Sequence, residues 1–187
     1  MSGDKSNVHR MAQTSWCVIT GAPCSGKTAV IEQLAARGFS VKPEAARAYI
    51  DQRLARGETL AEIKADNLSF ERHILMTKVE IEQQLPCDEL IFMDRAVPDS
   101  IAYYRIEGLD AEEPLHYSRQ FRYRSIFLLD RIAFQEDRVR SESDETAEQI
   151  EYLLVESYKA LGYSIVRVPL MEISQRADHI LRHAAKG

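Results

Sequence analysis

Residues Gly21 to Thr28 read GAPCSGKT and satisfy the pattern G-x-x-x-x-G-K-[ST] at every constrained position. Few eight-residue stretches restrict a fold so much. Gly21 and Gly26 allow backbone angles that a Cβ would block, so successive N–H groups of Ala22, Pro23's neighbours, Cys24 and Ser25 can curl around an anion. Lys27 then reaches the outer phosphates, and the Thr28 hydroxyl can hold Mg²⁺. Such a loop works only between a strand and a helix, and its flanks meet that demand. Before it, residues Ser15 to Thr20 form a short apolar, β-branched run. After it, Ala29, Val30, Ile31 and Leu34 lead to Gly38, the content of a helix with its C-terminal stop.

Further apolar runs alternate with helical stretches. Strands are expected at Phe39–Val41, Glu89–Met93, Ser125–Leu129 and Ser164–Val168. Helices are expected from Glu44 to about Arg56, from about Leu60 to Leu85 as one long element, and from Asp99. Two more follow around the stripe Ile150, Leu153, Leu154, Tyr158 and Leu161 and around Ile173 to Ala184. Alternation of this kind implies an α/β fold, with a parallel sheet covered on both faces and its ligand at the loops after the strands.

At 187 residues the chain suits one domain, expected over 15–187 behind a polar, mobile tail of residues 1–14. Its net charge of −5 argues against general nucleic-acid binding. Three cysteines without paired spacing point to a reducing compartment. With no apolar run long enough to span a bilayer and no secretory segment, a cytoplasmic location is expected.

Phosphoryl transfer needs a cradle, a metal ligand, positive charge near the migrating group and a group that orients the acceptor. Asp94 closes the run LIFMD and is the candidate Mg²⁺-side carboxylate, and Arg95 beside it can grip a phosphate or substrate anion. Glu44 stands at a helix start. There it either receives a proton from an incoming hydroxyl or simply complements the helix dipole. Arg47 lies one turn on and can pair with Glu44 or meet substrate. The stretch from about 130 to 144, dense in both charge signs, is a candidate lid that carries Arg131, Arg138 and Arg140. Asp99 is expected as a helix N-cap, and the basic–aromatic run Arg119–Arg124 mostly as packing. The five histidines show no metal spacing. No Asn-Lys-x-Asp guanine reader follows a late strand, so an adenine nucleotide is expected.

Taken together, the chain resembles the P-loop family that includes the ribosylnicotinamide kinase domain of the bacterial NAD regulator and the animal TRP-channel translocation-defect protein. The resemblance rests on GAPCSGKT, PEAAR (Pro43–Arg47), DRAVPDSIAYY (Asp94–Tyr104), FLLD (Phe127–Asp130), FQEDRVRSES (Phe134–Ser143) and LGYSIVRVP (Leu161–Pro169). It implies a three-layer α/β/α core like that of nucleoside and nucleotide kinases, with five parallel strands in the order 2-3-1-4-5. It also implies that Asp94 is the metal-side carboxylate and that Asp137 and Arg140 match an Asp and Arg spaced in the kinase lid. Arg138 departs from that pattern, in which a small residue stands there. The expected function is therefore a small-molecule kinase that moves the γ-phosphate of Mg-ATP to an acceptor the sequence does not identify. The alternative is a nucleotide-dependent switch or regulatory binding module. Oligomeric state is not legible.

Overall fold

The strand that carries the loop, β2 (Cys17–Thr20), is buried along its whole length, which its unbroken apolar sequence requires. The computed structural model describes residues 11–131 and 144–185. The sequence-expected tail up to residue 10 and most of the expected lid, including Asp137, Arg138 and Arg140, lie outside those described residues.

β2 occupies the middle of a five-stranded parallel sheet. Its partners are β3 (Ser40–Lys42), β4 (Ile91–Asp94), β6 (Ser125–Leu129) and β7 (Ile165–Val168), in the order β3-β4-β2-β6-β7. Ile19 stands opposite Asp94 on one side and Phe127 on the other. This register brings the ends of β2 and β4 together at one sheet edge, so the loop and Asp94 become neighbours.

Alternate residues supply two cores. Cys17, Ile19, Phe92, Phe127, Leu129 and Val168 pack against α1 (Lys27–Ala36) and α8 (Ile173–Ala184). Val18, Ile91, Met93 and Ile126 face the other way, where Tyr158 of α7 (Asp144–Ala160) closes the layer. On that side α5 (Asp99–Ile106) packs against both α7 and α4 (Asn67–Gln84). The result is the three-layer α/β/α arrangement that the alternation of elements implied.

Three local features depart from expectation. The helix expected over Leu60–Leu85 is two helices, α3 (Leu60–Ile63) and α4, because two consecutive N-caps each start one. Thr59 accepts from the Glu62 amide at 3.3 Å while Glu62 accepts from the Thr59 amide at 2.8 Å, and Asp66 accepts from the Ser69 amide at 3.1 Å. At the other end of the expected tail, β1 (Ala12–Gln13) pairs with β5 (Phe121–Arg122). Arg122 stacks over Tyr163 at 3.9 Å and donates to the Leu161 carbonyl at 2.8 Å, so the basic–aromatic run does serve packing. Finally, α6 (Glu112–Tyr117) is a short helix that no periodicity announced. The remaining helix, α2 (Ala45–Ala55), joins α3 and α4 through Tyr49, Ile50, Ile63, Phe70 and Ile74.

Candidate functional site

The loop lies between β2 and α1, as its pattern demands. Gly21 has φ +147°, and a Cβ there would stand 2.9 Å from the Leu129 carbonyl oxygen and 2.9 Å from Ser25 Oγ. Only glycine lets this turn pack against the end of β6. Gly26 caps α1 in the left-handed region, and the first turn of α1 holds no acidic residue. The helix therefore presents its positive end with no carboxylate in its own first turn. Cys24 also adopts a left-handed φ of +62° and is exposed.

Behind the loop sits a residue whose role the sequence did not suggest. Arg176 of α8 is buried and donates to the carbonyls of Ser25 at 2.6 Å, Asp130 at 3.1 Å and Pro169 at 3.2 Å. One guanidinium thus ties the loop to the ends of two strands. An arginine within the otherwise apolar stripe of α8 (Ala177, Ile180, Ala184) was the available signal.

Lys27 is buried and turned onto its own loop. Its ammonium donates to the carbonyls of Gly21 at 3.1 Å and Ala22 at 3.0 Å and to Ser25 Oγ at 3.3 Å. Burial and the nearby Arg95 charge lower its pKa to about 8. Thr28, the next residue, is exposed toward a cavity of about 620 Å³.

That cavity runs from Pro23–Thr28 past Glu44, Lys78 and Arg95 to Phe70, Glu71, Ile74 and Tyr103. Arg95 and Glu44 meet on its lining; Asp94 is not part of that lining but is close enough for its charge to interact with Glu44, Lys27 and Arg95. Arg95 follows β4 with φ +66°, a strained value for a side-chain-bearing residue that costs roughly 1 kcal/mol. Its amide donates to the Ile19 carbonyl at 3.0 Å, continuing the ladder, while the twist sends its guanidinium back over the sheet edge. There Nε donates to Glu44 at 2.8 Å, Nη1 to Asp99 at 3.3 Å, and the fork lies 5.1 Å from the Tyr103 ring centre.

Burial alone would push the Glu44 carboxyl upward, but Arg95 and Lys27 outweigh it and hold the pKa below the ordinary carboxylate value. Asp94 behaves oppositely. Burial and the Glu44 charge raise it to about 6, and its Oδ1 is buried with no hydrogen-bond partner. An orphaned buried acceptor beside a phosphate cradle fits a hard cation or its water shell. Asp94 with the Thr28 hydroxyl would hold Mg²⁺, which takes its remaining ligands from phosphates and water. Among the described residues no cluster of three or more His, Cys, Asp or Glu holds a metal unaided.

Two expectations change here. Asp99 is no N-cap: Pro98 holds that position, and the Asp99 carboxylate is wholly buried. It accepts from Thr20 Oγ1 at 2.6 Å, Tyr158 OH at 2.5 Å and the Ala96 amide at 3.0 Å as well as from Arg95. It thereby links the end of β2, the Arg95 turn and α7. Arg47 does not pair with Glu44; it is exposed and lies 3.4 Å from Asp51, at the cavity rim. Arg131 lies 3.7 Å from Glu148 and away from the cavity lining.

Sequence reasoning also passed over Lys78 and Glu71. Lys78 is buried and donates to Ser100 Oγ at 3.0 Å. Glu71 is 7% exposed and faces the cavity. Both stand in the apolar stripe Phe70, Ile74, Leu75 and Val79 of α4, and charged residues inside such a stripe were the signal.

A family model described as an AAA domain matches residues 16–176. No curated protein matches the chain in sequence. Among solved structures, NadR protein in complex with NR aligns with TM-score 0.69 and 16% identity, covering 93% of this chain and 52% of that one. The chain thus spans about half the length of NadR. Thymidylate kinase from Ehrlichia chaffeensis aligns with TM-score 0.65 and 14% identity over 92% of this chain and 98% of that one. Deoxyadenosine kinase from M. mycoides aligns with TM-score 0.61 and 14% identity over 91% and 98%. At such identities the likeness is one of fold.

Proposed function

This chain belongs to the AAA-domain family, and from that premise we propose that it is a small-molecule kinase that uses Mg-ATP. The observation that carries the reading is that Glu44 and Arg95, joined at 2.8 Å, line the same cavity as the phosphate loop, while Asp94 stands directly before Arg95 and within charge range of Glu44 and Lys27. The loop amides and the start of α1 take the β- and γ-phosphates. On binding, Lys27 leaves its own loop carbonyls for the phosphate oxygens, exchanging neutral acceptors for charged ones. Asp94 and the Thr28 hydroxyl would hold Mg²⁺, which would supply charge neutralisation to the triphosphate.

The acceptor hydroxyl enters from the Phe70–Tyr103 end. Its oxygen forms a bond to the γ-phosphorus while the bond from that phosphorus to the β,γ-bridging oxygen breaks, leaving ADP. Glu44, kept ionised by Arg95, orients the hydroxyl and receives its proton. A carboxylate with a lowered pKa is a weak base, which suits a loose transition state in which the proton leaves late. Arg95 supports Glu44 and offers positive charge to the moving phosphoryl group. Arg138 and Arg140 are proposed to contribute positive charge to the same phosphoryl group. The domain is proposed to span residues 15–187, with a cytoplasmic location.

The test is ADP release and ³²P transfer from Mg-ATP across a panel of nucleosides, nucleotides and sugars. Transfer to at least one acceptor is expected. Persistent slow hydrolysis with no phosphorylated product would remove the kinase reading in favour of a nucleotide-dependent switch.

A further inference from the structure

Asp99 takes no part in the transfer step itself. Its carboxylate is wholly buried and does not belong to the cavity lining. It nevertheless holds Arg95 at both ends. Oδ2 accepts from the Ala96 amide at 3.0 Å, the first amide after the left-handed Arg95 turn. Oδ1 accepts from Arg95 Nη1 at 3.3 Å. Glu44, which lines the cavity, meets the same guanidinium at Nε, 2.8 Å away. Two further donors complete the Asp99 shell: Thr20 Oγ1 at 2.6 Å on Oδ1 and Tyr158 OH at 2.5 Å on Oδ2. Thr20 immediately precedes Gly21, so the shell also reaches the entry of the phosphate loop.

All of these neighbours donate. An ionised carboxylate accepts from every one, whereas an asparagine of the same shape would turn its N–H pair toward two of them. The Ala96 amide and the guanidinium cannot reverse roles, and each oxygen of Asp99 faces one of these fixed donors. Burial would push the Asp99 carboxyl up, but Arg95 and Lys78 hold it below the ordinary value, so the charge is present. A buried charge is costly unless fully paired, and here the pairing is spent on one arginine and its turn. Glu44 grips the guanidinium through one N–H, and the second grip at Nη1 sets the plane of the fork.

We propose that Asp99 is a positioning residue for phosphoryl transfer: it fixes the Arg95 turn and the plane of its guanidinium, and acts on the reaction through Arg95. This rests on the kinase reading above and assigns that site a supporting residue outside its cavity. A misplacement of about 1 Å in a reacting site can cost about 10²-fold in rate, while the backbone cradle for ATP stays in place.

A double-mutant cycle separates positioning from packing alone. Asp99→Asn and the milder Tyr158→Phe are each made singly and together with Arg95→Gln. Melting curves give the folded fraction. The kcat and the KM for ATP are then measured per folded molecule, both for ADP release and for ³²P transfer to the panel of nucleosides, nucleotides and sugars. Asp99→Asn is expected to lower kcat by about tenfold to a hundredfold, with the KM for ATP within about threefold of wild type. Tyr158→Phe, which removes one donor, should lower kcat by about threefold. In the Arg95→Gln background either change should cost less than about twofold more, because the group being positioned is gone.

The same non-additivity in ADP release with no phosphorylated acceptor would uphold this inference and sink the kinase reading instead. Equal losses with and without Arg95 would overturn the inference, as would variants that melt earlier yet turn over at the wild-type rate. So would a wild-type rate in Arg95→Gln itself. Should Asp99→Asn fail to fold, the Tyr158→Phe cycle decides by the same criteria.

Discussion

The two ends of the cavity are built from different materials. The phosphate end is mainly backbone: loop amides, the start of α1, Gly21, whose position admits no Cβ, and Gly26 in the left-handed region. Arg176 clamps it from behind through three carbonyls. The acceptor end is side chain throughout, with Glu44 from the start of α2, Glu71 and Lys78 from α4, and Arg95 and Tyr103 from the turn and helix after β4. Backbone sites recognise what all nucleoside triphosphates share. Side-chain sites can change identity without disturbing the fold, and on the proposed reading substrate choice would reside there.

That contrast makes graded predictions. Lys27→Ala removes the loop's ammonium and should cost about 10³-fold or more in turnover, whatever the acceptor. A near-normal rate with any substrate would break the division outright. Next comes Asp94→Asn, expected to lower turnover roughly 10²-fold and to weaken the dependence on Mg²⁺ concentration.

Asp94 also carries a pH signature. Its pKa rises from 3.8 to about 6 on folding, so the folded state holds that proton more tightly. Without metal, stability from this group should therefore fall as pH rises from about 4 to about 6. Mg²⁺ with nucleotide favours the ionised form and should reverse the slope. Melting curves across that window, with and without Mg-ATP, read both, and Asp94→Asn should flatten them.

Glu44→Gln keeps the shape of the acceptor end and should cost about 10²-fold in transfer with little change in nucleotide affinity. Equal losses in transfer and affinity would move Glu44 to the phosphate end and out of the acceptor's path. Arg176→Leu tests the clamp. It strands three carbonyls and should destabilise the protein by about 2–4 kcal/mol, with a weaker grip on ATP. Arg47→Ala, at the exposed rim, should cost no more than about 0.5 kcal/mol in a melt, since its ion pair with Asp51 is solvated.

The same contrast governs how much the sequence reveals. The phosphate end is legible because its chemistry depends on local order: two glycines, a lysine and a threonine at fixed spacing between an apolar strand and a helix. Asp94 is legible for the same reason, since it ends an apolar run. The five-stranded sheet follows from alternation alone. Glu71 and Lys78 were hidden because a charge inside the apolar stripe of α4 acquires meaning only when the facing helix is known. Asp99 was misread because a carboxylate at a helix start has a ready local explanation. Only tertiary packing brings Thr20 and Tyr158 to it. The break between α3 and α4 was written in Thr59 and Asp66, two capping residues seven positions apart. Arg176 lay within a helix read for its apolar positions, and its three carbonyl partners come from distant parts of the chain.

A crystal structure of the protein with Mg²⁺ and a non-hydrolysable ATP analogue tests the central claim most directly. The account predicts that the amides of residues 21–28 enclose the β- and γ-phosphates, with Lys27 moved off Gly21 and Ala22 onto phosphate oxygens and Asp94 turned to the metal side. An analogue bound elsewhere, with Lys27 still resting on its own loop, would contradict it.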